Sequence, residues 1–183
     1  GAVAEGAVGG RTGMICHGFK GGIGPASRKL DEHAGGYTVG ALVQANHGKR
    51  SHLTVAGAPV GKELTELPVE IHPNATHPAG AGSIIVLIAT DAPLLPHQLK
   101  RLARRIPMGI HRVGSIGNYS SGDIFMAFST ANSGAAKRSG TACLNMLSND
   151  VLDPLFEATI QATEEAILNA LVAAKTTVGI NGN

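Results

Sequence analysis

The most apolar run in the chain is Ser83-Ile84-Ile85-Val86-Leu87-Ile88-Ala89-Thr90. Its length and β-branched content predict a strand, and its lack of polar alternation predicts burial on both faces. Tyr37-Thr38-Val39-Gly40-Ala41-Leu42-Val43-Gln44-Ala45 reads as a second buried strand. Asn46-His47-Gly48-Lys49 then supplies turn chemistry, and Ser51-His52-Leu53-Thr54-Val55 reads as a return strand, so a hairpin is predicted. A further strand is predicted over 123–129. Leu95, Leu99, Leu102 and Ile106 fall on one helical stripe that starts at Pro96. A long amphipathic helix is predicted from Asp153, as cap, and Pro154 to about Ala174, with Leu155, Phe156, Ile160, Ile167, Leu168, Leu171 and Val172 as its apolar residues. The first part of the chain reads as loops with short strands. Residues 56–82 carry Pro59, Pro68, Pro73 and Pro78 and end Ala79-Gly80-Ala81-Gly82, the pattern of a linker. Strands and helices mix without a regular βαβ beat or an internal repeat, which favours helices layered on sheets.

Composition narrows the class. Of 183 residues 25 are glycine, roughly twice the usual share of about 7%. Apolar residues make up 43% and charged residues 15%, so the chain is too apolar for intrinsic disorder. No apolar run approaches the roughly 18 residues of a membrane span. The net charge is +2, and neither half carries a basic arm. With six aromatic residues (4 Phe, 2 Tyr) there is little to stack on bases, so nucleic acid is not an expected partner. The basic residues of 100–105 lie mostly off the apolar stripe and read as a solvated helix surface. Cys16 and Cys143 form no CxxC pair and read as reduced, buried thiols.

Several familiar motifs fail. There is no phosphate-binding GxxxxGK[ST], and no GxGxxG between a strand and a helix. Val113-Gly114-Ser115-Ile116-Gly117 has Val where a hydrolase elbow needs Gly. His72 and His77 sit in the linker without an HExxH or a cysteine partner, so neither a metal nor a cofactor is expected.

The junction Gly82-Ser83 joins the softest stretch to the most apolar strand. A serine hydroxyl is a weak nucleophile and needs a base. If the bond before Ser83 is cut, Ser83 gains a free α-amine with a reference pKa of about 7.7–8, close to its own hydroxyl. That amine can serve as the base, the serine counterpart of N-terminal threonine nucleophiles. Glycine at 82 would permit the close approach of backbone and hydroxyl that self-cleavage requires. Without further context, such a serine is an ordinary start to a strand.

Further context comes from a resemblance. Gly9-Gly10-Arg11-Thr12-Gly13-Met14-Ile15-Cys16-His17-Gly18-Phe19-Lys20-Gly21-Gly22-Ile23-Gly24 resembles the L-aminopeptidase D-amidase/D-esterase (DmpA) family, which includes the β-peptidyl aminopeptidases. So do Val39–Asn46, Gly82–Val86, Thr90–Leu94, Ser121–Phe125 and Ala127–Thr130, in family order. The resemblance implies an α+β fold, an αββα four-layer sandwich like that of the N-terminal-nucleophile (Ntn) hydrolases. It implies a precursor that cuts itself between Gly82 and Ser83, leaving 1–82 as the later part of an α chain and 83–183 as most of a β chain, both within one catalytic domain. Ser83 then matches the nucleophile. Ser121 and Asp123 match the element that holds and polarises it, and Asn46 matches an asparagine that donates to the oxyanion. On residues alone, Ser121 and Asp123 read as a polar start to a strand, and Asn46 as turn chemistry. The family's tyrosine has no counterpart at Tyr37 or Tyr119, Pro25 stands where relatives often have Thr, and the glycine-rich loop 18–24 matches a site-shaping element.

The expected activity is hydrolysis of N-terminal aminoacyl amides, esters or small peptides through an acyl-enzyme on Ser83. An acyltransferase of the ornithine-acetyltransferase type and a non-catalytic assembly protein remain alternatives. The resemblance further implies a homo-oligomer of αβ units that needs neither cofactor nor membrane. A chain that starts Gly-Ala-Val reads as an internal fragment. A cytoplasmic location is expected, with a periplasmic one left open.

Overall fold

The computed structural model describes residues 2–8, 13–64 and 82–177. Most of the predicted linker lies outside the described residues. The central feature is a four-stranded sheet of β3 (Gly22–Lys29), β4 (Thr38–Asn46), β5 (Ser83–Thr90) and β6 (Ile124–Ser129), in that order. The β3–β4 and β4–β5 pairs are antiparallel and β5–β6 is parallel. A small ribbon of β1 (Ile15–Cys16) and β2 (Phe19–Lys20) precedes them. The parallel pair needs a crossover. Two helices supply it, α2 (Pro96–Ala103) and α3 (Ile106–Arg112). A one-turn helix α1 (Val60–Glu63) lies inside the predicted linker 56–82, whose first residues thus form structure that the punctuation by proline and glycine did not suggest, and α4 (Asp153–Ala173) follows the sheet.

The period of two along each strand decides which residues face the helices. Val39, Ala41, Val43 and Ala45 of β4, with Ile84, Val86 and Ile88 of β5, point inward and are buried. Leu102, Ile106, Leu155 and Ile167 meet them from the helices. Helix α4 lies close to the sheet because its inner face is small: Ala158, Ala162, Ala166 and Ala170 are all buried. The approach is so tight that a Cβ on Gly24 would stand 1.8 Å from the Ala166 carbonyl oxygen. Thr159 and Thr163 sit in this apolar layer because each hydroxyl donates to the carbonyl four residues back, at 2.7 Å.

Several expectations change. The run 83–90 is buried on one face only; Ser83, Ile85, Leu87 and Ala89 lie on a sheet face that no described helix covers. The predicted hairpin does not form. Both edges of β4 are taken, by β3 and β5, so residues 51–55 cannot pair with it. Arg50–His52 forms a 3-10 turn instead, and among the described residues Val55 bridges Ala58 alone. The glycine-rich loop runs directly into β3, an edge strand whose position tolerates the missing N–H of Pro25. Asp153 is the first residue of α4, not its cap, which is Leu152. Cys143 is exposed, whereas Cys16 is buried. The helical stripe breaks at Arg104–Arg105 into α2 and α3. Arg101 and Arg105 are not simply solvated: their guanidinium carbons lie 5.1 and 3.9 Å from the ring centre of Phe156.

Candidate functional site

Strand ends bring the predicted site residues together. Asn46 is the last residue of β4 and Ser83 the first of β5, and the antiparallel register pairs them. Both lie on the uncovered face, by the same alternation that buries Ala45 and Ile84. The parallel register of β5 with β6 pairs Ile85 with Ile124, which carries Ser121, Gly122 and Asp123 alongside the start of β5.

Asp123 ties this corner together. Its Oδ1 accepts the hydroxyl of Ser121 at 2.5 Å and the backbone N–H of Ile84 at 3.1 Å. The N–H of Gly122 donates to Ser83 Oγ at 2.8 Å. A donor aimed at this oxygen stabilises negative charge developing on it. Gly122 is a contact that residue matching missed, since a backbone N–H leaves no side-chain signature; only its place between Ser121 and Asp123 marks it. Gly82 has φ +148, and a Cβ there would stand 2.1 Å from the Asn46 carbonyl oxygen. No side chain fits, so the residue before Ser83 must be glycine. The same imagined Cβ lies 3.4 Å from Asn46 Nδ2, which places that amide nitrogen against the Gly82–Ser83 junction. Asn46 Oδ1 accepts the N–H of Ile15 at 2.9 Å, and among the described residues Nδ2 donates to none.

Behind Asn46 lies a cluster that the linker histidines did not foreshadow. Cys16, His17 and His47 are buried, and their donor atoms all lie within 4.8 Å of one another, so the trio could also hold a metal ion. Cys16 Sγ is 3.8 Å from His47 Nδ1. His17 Nδ1 donates to the Lys49 carbonyl at 3.0 Å. Burial pushes the Cys16 thiol up to about 12 and, with a lesser contribution from His17, pushes His47 down to about 3. His17 is lowered too, mainly by burial. His72 and His77 lie outside the described residues. A cavity of about 520 Å³ on the uncovered face is lined by Val3, Pro25, Leu42, Leu87, Ala89 and Phe128. It begins four residues along β5 from Ser83, roughly 13 Å at 3.3 Å per residue, and so lies away from the hydroxyl.

Against known proteins, the model of peptidase family S58 matches residues 1–183. The chain is 54% identical over 192 residues to the beta-peptidyl aminopeptidase BapA of Sphingosinicella microcystinivorans, covering 100% of this chain and 48% of that protein. Among solved structures it resembles a Burkholderia sp. beta-aminopeptidase, with 52% identity, a TM-score of 0.82, and coverage of 97% of this chain and 49% of that one. It also resembles the L-aminopeptidase D-Ala-esterase/amidase of Ochrobactrum anthropi, described as a prototype for the serine aminopeptidases and a variant of the Ntn-hydrolase fold. That match has 46% identity, a TM-score of 0.86, and coverage of 100% of this chain and 48% of that one. The chain thus spans about half the length of the relatives it matches. Its fold is the Ntn-hydrolase-like layered sandwich; the described residues contribute one sheet and the helices on one side of it.

Proposed function

The chain belongs to peptidase family S58, and from that premise we propose that the protein is a self-processing serine aminopeptidase. The observation that carries this reading is the corner at Ser83. Its hydroxyl oxygen receives the Gly122 N–H, beside a Gly82 position that admits no side chain. Self-processing starts when Ser83 Oγ adds to the Gly82 carbonyl carbon. The C–N bond breaks as the proton moves to nitrogen, and water hydrolyses the resulting ester. The α chain then ends at Gly82 and the β chain begins at Ser83, which now carries a free α-amine.

Turnover reuses the same atoms. The α-amine takes the proton from Oγ as the hydroxyl attacks the first acyl carbon of a substrate with a free amino group. The acquired proton passes to the leaving amine, and water releases the acyl group from Ser83. In this reading Asn46 Nδ2 donates to the oxyanion, an interaction worth about 3–4 kcal/mol in comparable sites; its position against the Gly82–Ser83 junction supports that role. Asp123, holding Ser121 and the Ile84 N–H, keeps the strand ends in register. Substrates in this reading are N-terminal aminoacyl amides, esters and small peptides, and relatives named as beta-peptidyl aminopeptidase and beta-aminopeptidase support including β-peptides in the test. The working form is a homo-oligomer of αβ units, located in the cytoplasm.

The test incubates full-length protein with a panel of aminoacyl p-nitroanilides and β-peptides. Release of the N-terminal residue by wild type, and its loss in Ser83→Ala, is the expected result. Normal turnover by Ser83→Ala would remove the nucleophile assignment.

A further inference from the structure

Asn46 is held by one visible bond to its side chain, from the Ile15 N–H. Ile15 is 47% exposed, and a single hydrogen bond in such a setting contributes little net stability. Alone it would hold the amide weakly. The residues directly behind it are fixed far more strongly. Cys16 and His17 are 0% exposed and His47 is 3% exposed. The His17 N–H donates to the His47 carbonyl at 2.8 Å, and His17 Nδ1 donates to the Lys49 carbonyl at 3.0 Å. Cys16 Sγ faces His47 Nδ1 at 3.8 Å. Arg50 closes the far end, donating from Nε to the His17 carbonyl at 2.9 Å and from Nη2 to the Gly18 carbonyl. His17 itself sits at φ +47, a left-handed backbone uncommon outside glycine, which persists only where its surroundings enforce it.

This cluster carries a cost. Among the described residues, the buried Nε2 atoms of His17 and His47 find no hydrogen-bond partner. A buried polar atom left unpaired is destabilising, and apolar side chains of similar shape would avoid that. Polar groups retained at this cost directly behind Asn46 need a reason beyond stability.

We propose that Cys16, His17 and His47 form a buried clamp whose task is to hold Ile15 against Asn46, so that Asn46 Nδ2 stays aimed at the Gly82–Ser83 junction. The three are positioning residues that act through Asn46, and the proposal rests on the function proposed above. The Cys16 and His47 contact locks the residue after Ile15 to the residue after Asn46. The two histidine contacts stop the segments from sliding. Because Cys16 stays a thiol and His47 stays neutral, the clamp does not change charge near pH 8, where a free Ser83 amine would titrate.

The test uses full-length protein and an aminoacyl p-nitroanilide that wild type turns over. His47→Phe keeps the ring and removes its nitrogens; Cys16→Ala removes the thiol. Each is expected to lower kcat by about 10–100-fold with KM within about threefold, the usual range for groups that orient a working side chain. Cys16→Ser should recover kcat to within about threefold of wild type. In an Asn46→Ala background, His47→Phe should cause no further loss, because the residue it positions is gone. If His47→Phe does not fold, Cys16→Ala in the same background carries the comparison. Losses that multiply with Asn46→Ala would overturn the clamp, as would equal changes in kcat and KM. Stoichiometric zinc or copper in purified wild type, lost in Cys16→Ala, would overturn it too, because the trio would then be ligands. An inactive Ser83→Ala together with multiplying losses overturns the clamp alone; an active Ser83→Ala overturns the function beneath it.

Discussion

The two faces of the central sheet put the same strands to different uses. On the covered face Val39, Val43, Ile84, Val86 and Ile88 are each 0% exposed and pack on the helices. On the other face, one residue along, Asn46 and Ser83 stand opposite each other beside Asp123, and Ile85, Met126 and Phe128 remain exposed. Stability and chemistry are thus separated by a single step in a period-two pattern. Strand β5 places a fully buried Ile84 directly after Ser83, so the proposed nucleophile stands on a strand anchored in the core. A one-residue slip in register would bury the hydroxyl and expose the core.

Substitutions on the two faces should therefore have opposite signatures. Ser83→Ala should lower activity by about 10⁴-fold or more while leaving the unfolding midpoint near that of wild type, as thermal melts and p-nitroanilide assays would read. A large loss of stability would mean that the hydroxyl also holds the strand. Asn46→Ala should lower kcat by about 10²–10³-fold with little change in KM, measured by steady-state kinetics. Ile88→Ala, on the covered face, should destabilise by about 2–5 kcal/mol in urea titration and leave activity per folded molecule unchanged. If it lowers kcat instead, the two faces are not independent. A further effect concerns pH. His47 is buried neutral with its pKa pushed down to about 3, below the unfolded value near 6.5. Its contribution to stability is complete above about pH 6.5 and declines as pH falls toward 3, by about 1.4 kcal/mol per pH unit. Denaturant midpoints measured across this window should show a flatter acid decline for His47→Phe than for wild type.

Much of this division could be read from residues. The runs 37–45 and 83–90 are strands because β-branched and apolar residues dominate them, and the helix from 153 follows from its spacing and from Pro154. The site residues could be named because a nucleophile, an acid and an amide leave side-chain signatures within matched motifs. Other features left none. Strand β3 has Gly22, Gly24 and Pro25, poor strand formers that are tolerated because Gly6 approaches closely at Gly22, α4 approaches closely at Gly24, and β3 is an edge. The hairpin failed because turn chemistry at 46–49 says nothing about whether a strand edge is already occupied. The Gly122 and Ile15 donors are backbone groups. The Cys16, His17 and His47 cluster joins residues 31 apart, which only the pairing of the two segments brings together.

The most direct measurement is the intact mass and N-terminal sequence of the full-length protein after purification. Processing at Gly82–Ser83 predicts a separate chain that begins Ser-Ile-Ile-Val, and a single uncut chain for Ser83→Ala. An active wild type that stays uncut, or a Ser83→Ala protein that is cut at the same bond, would contradict it.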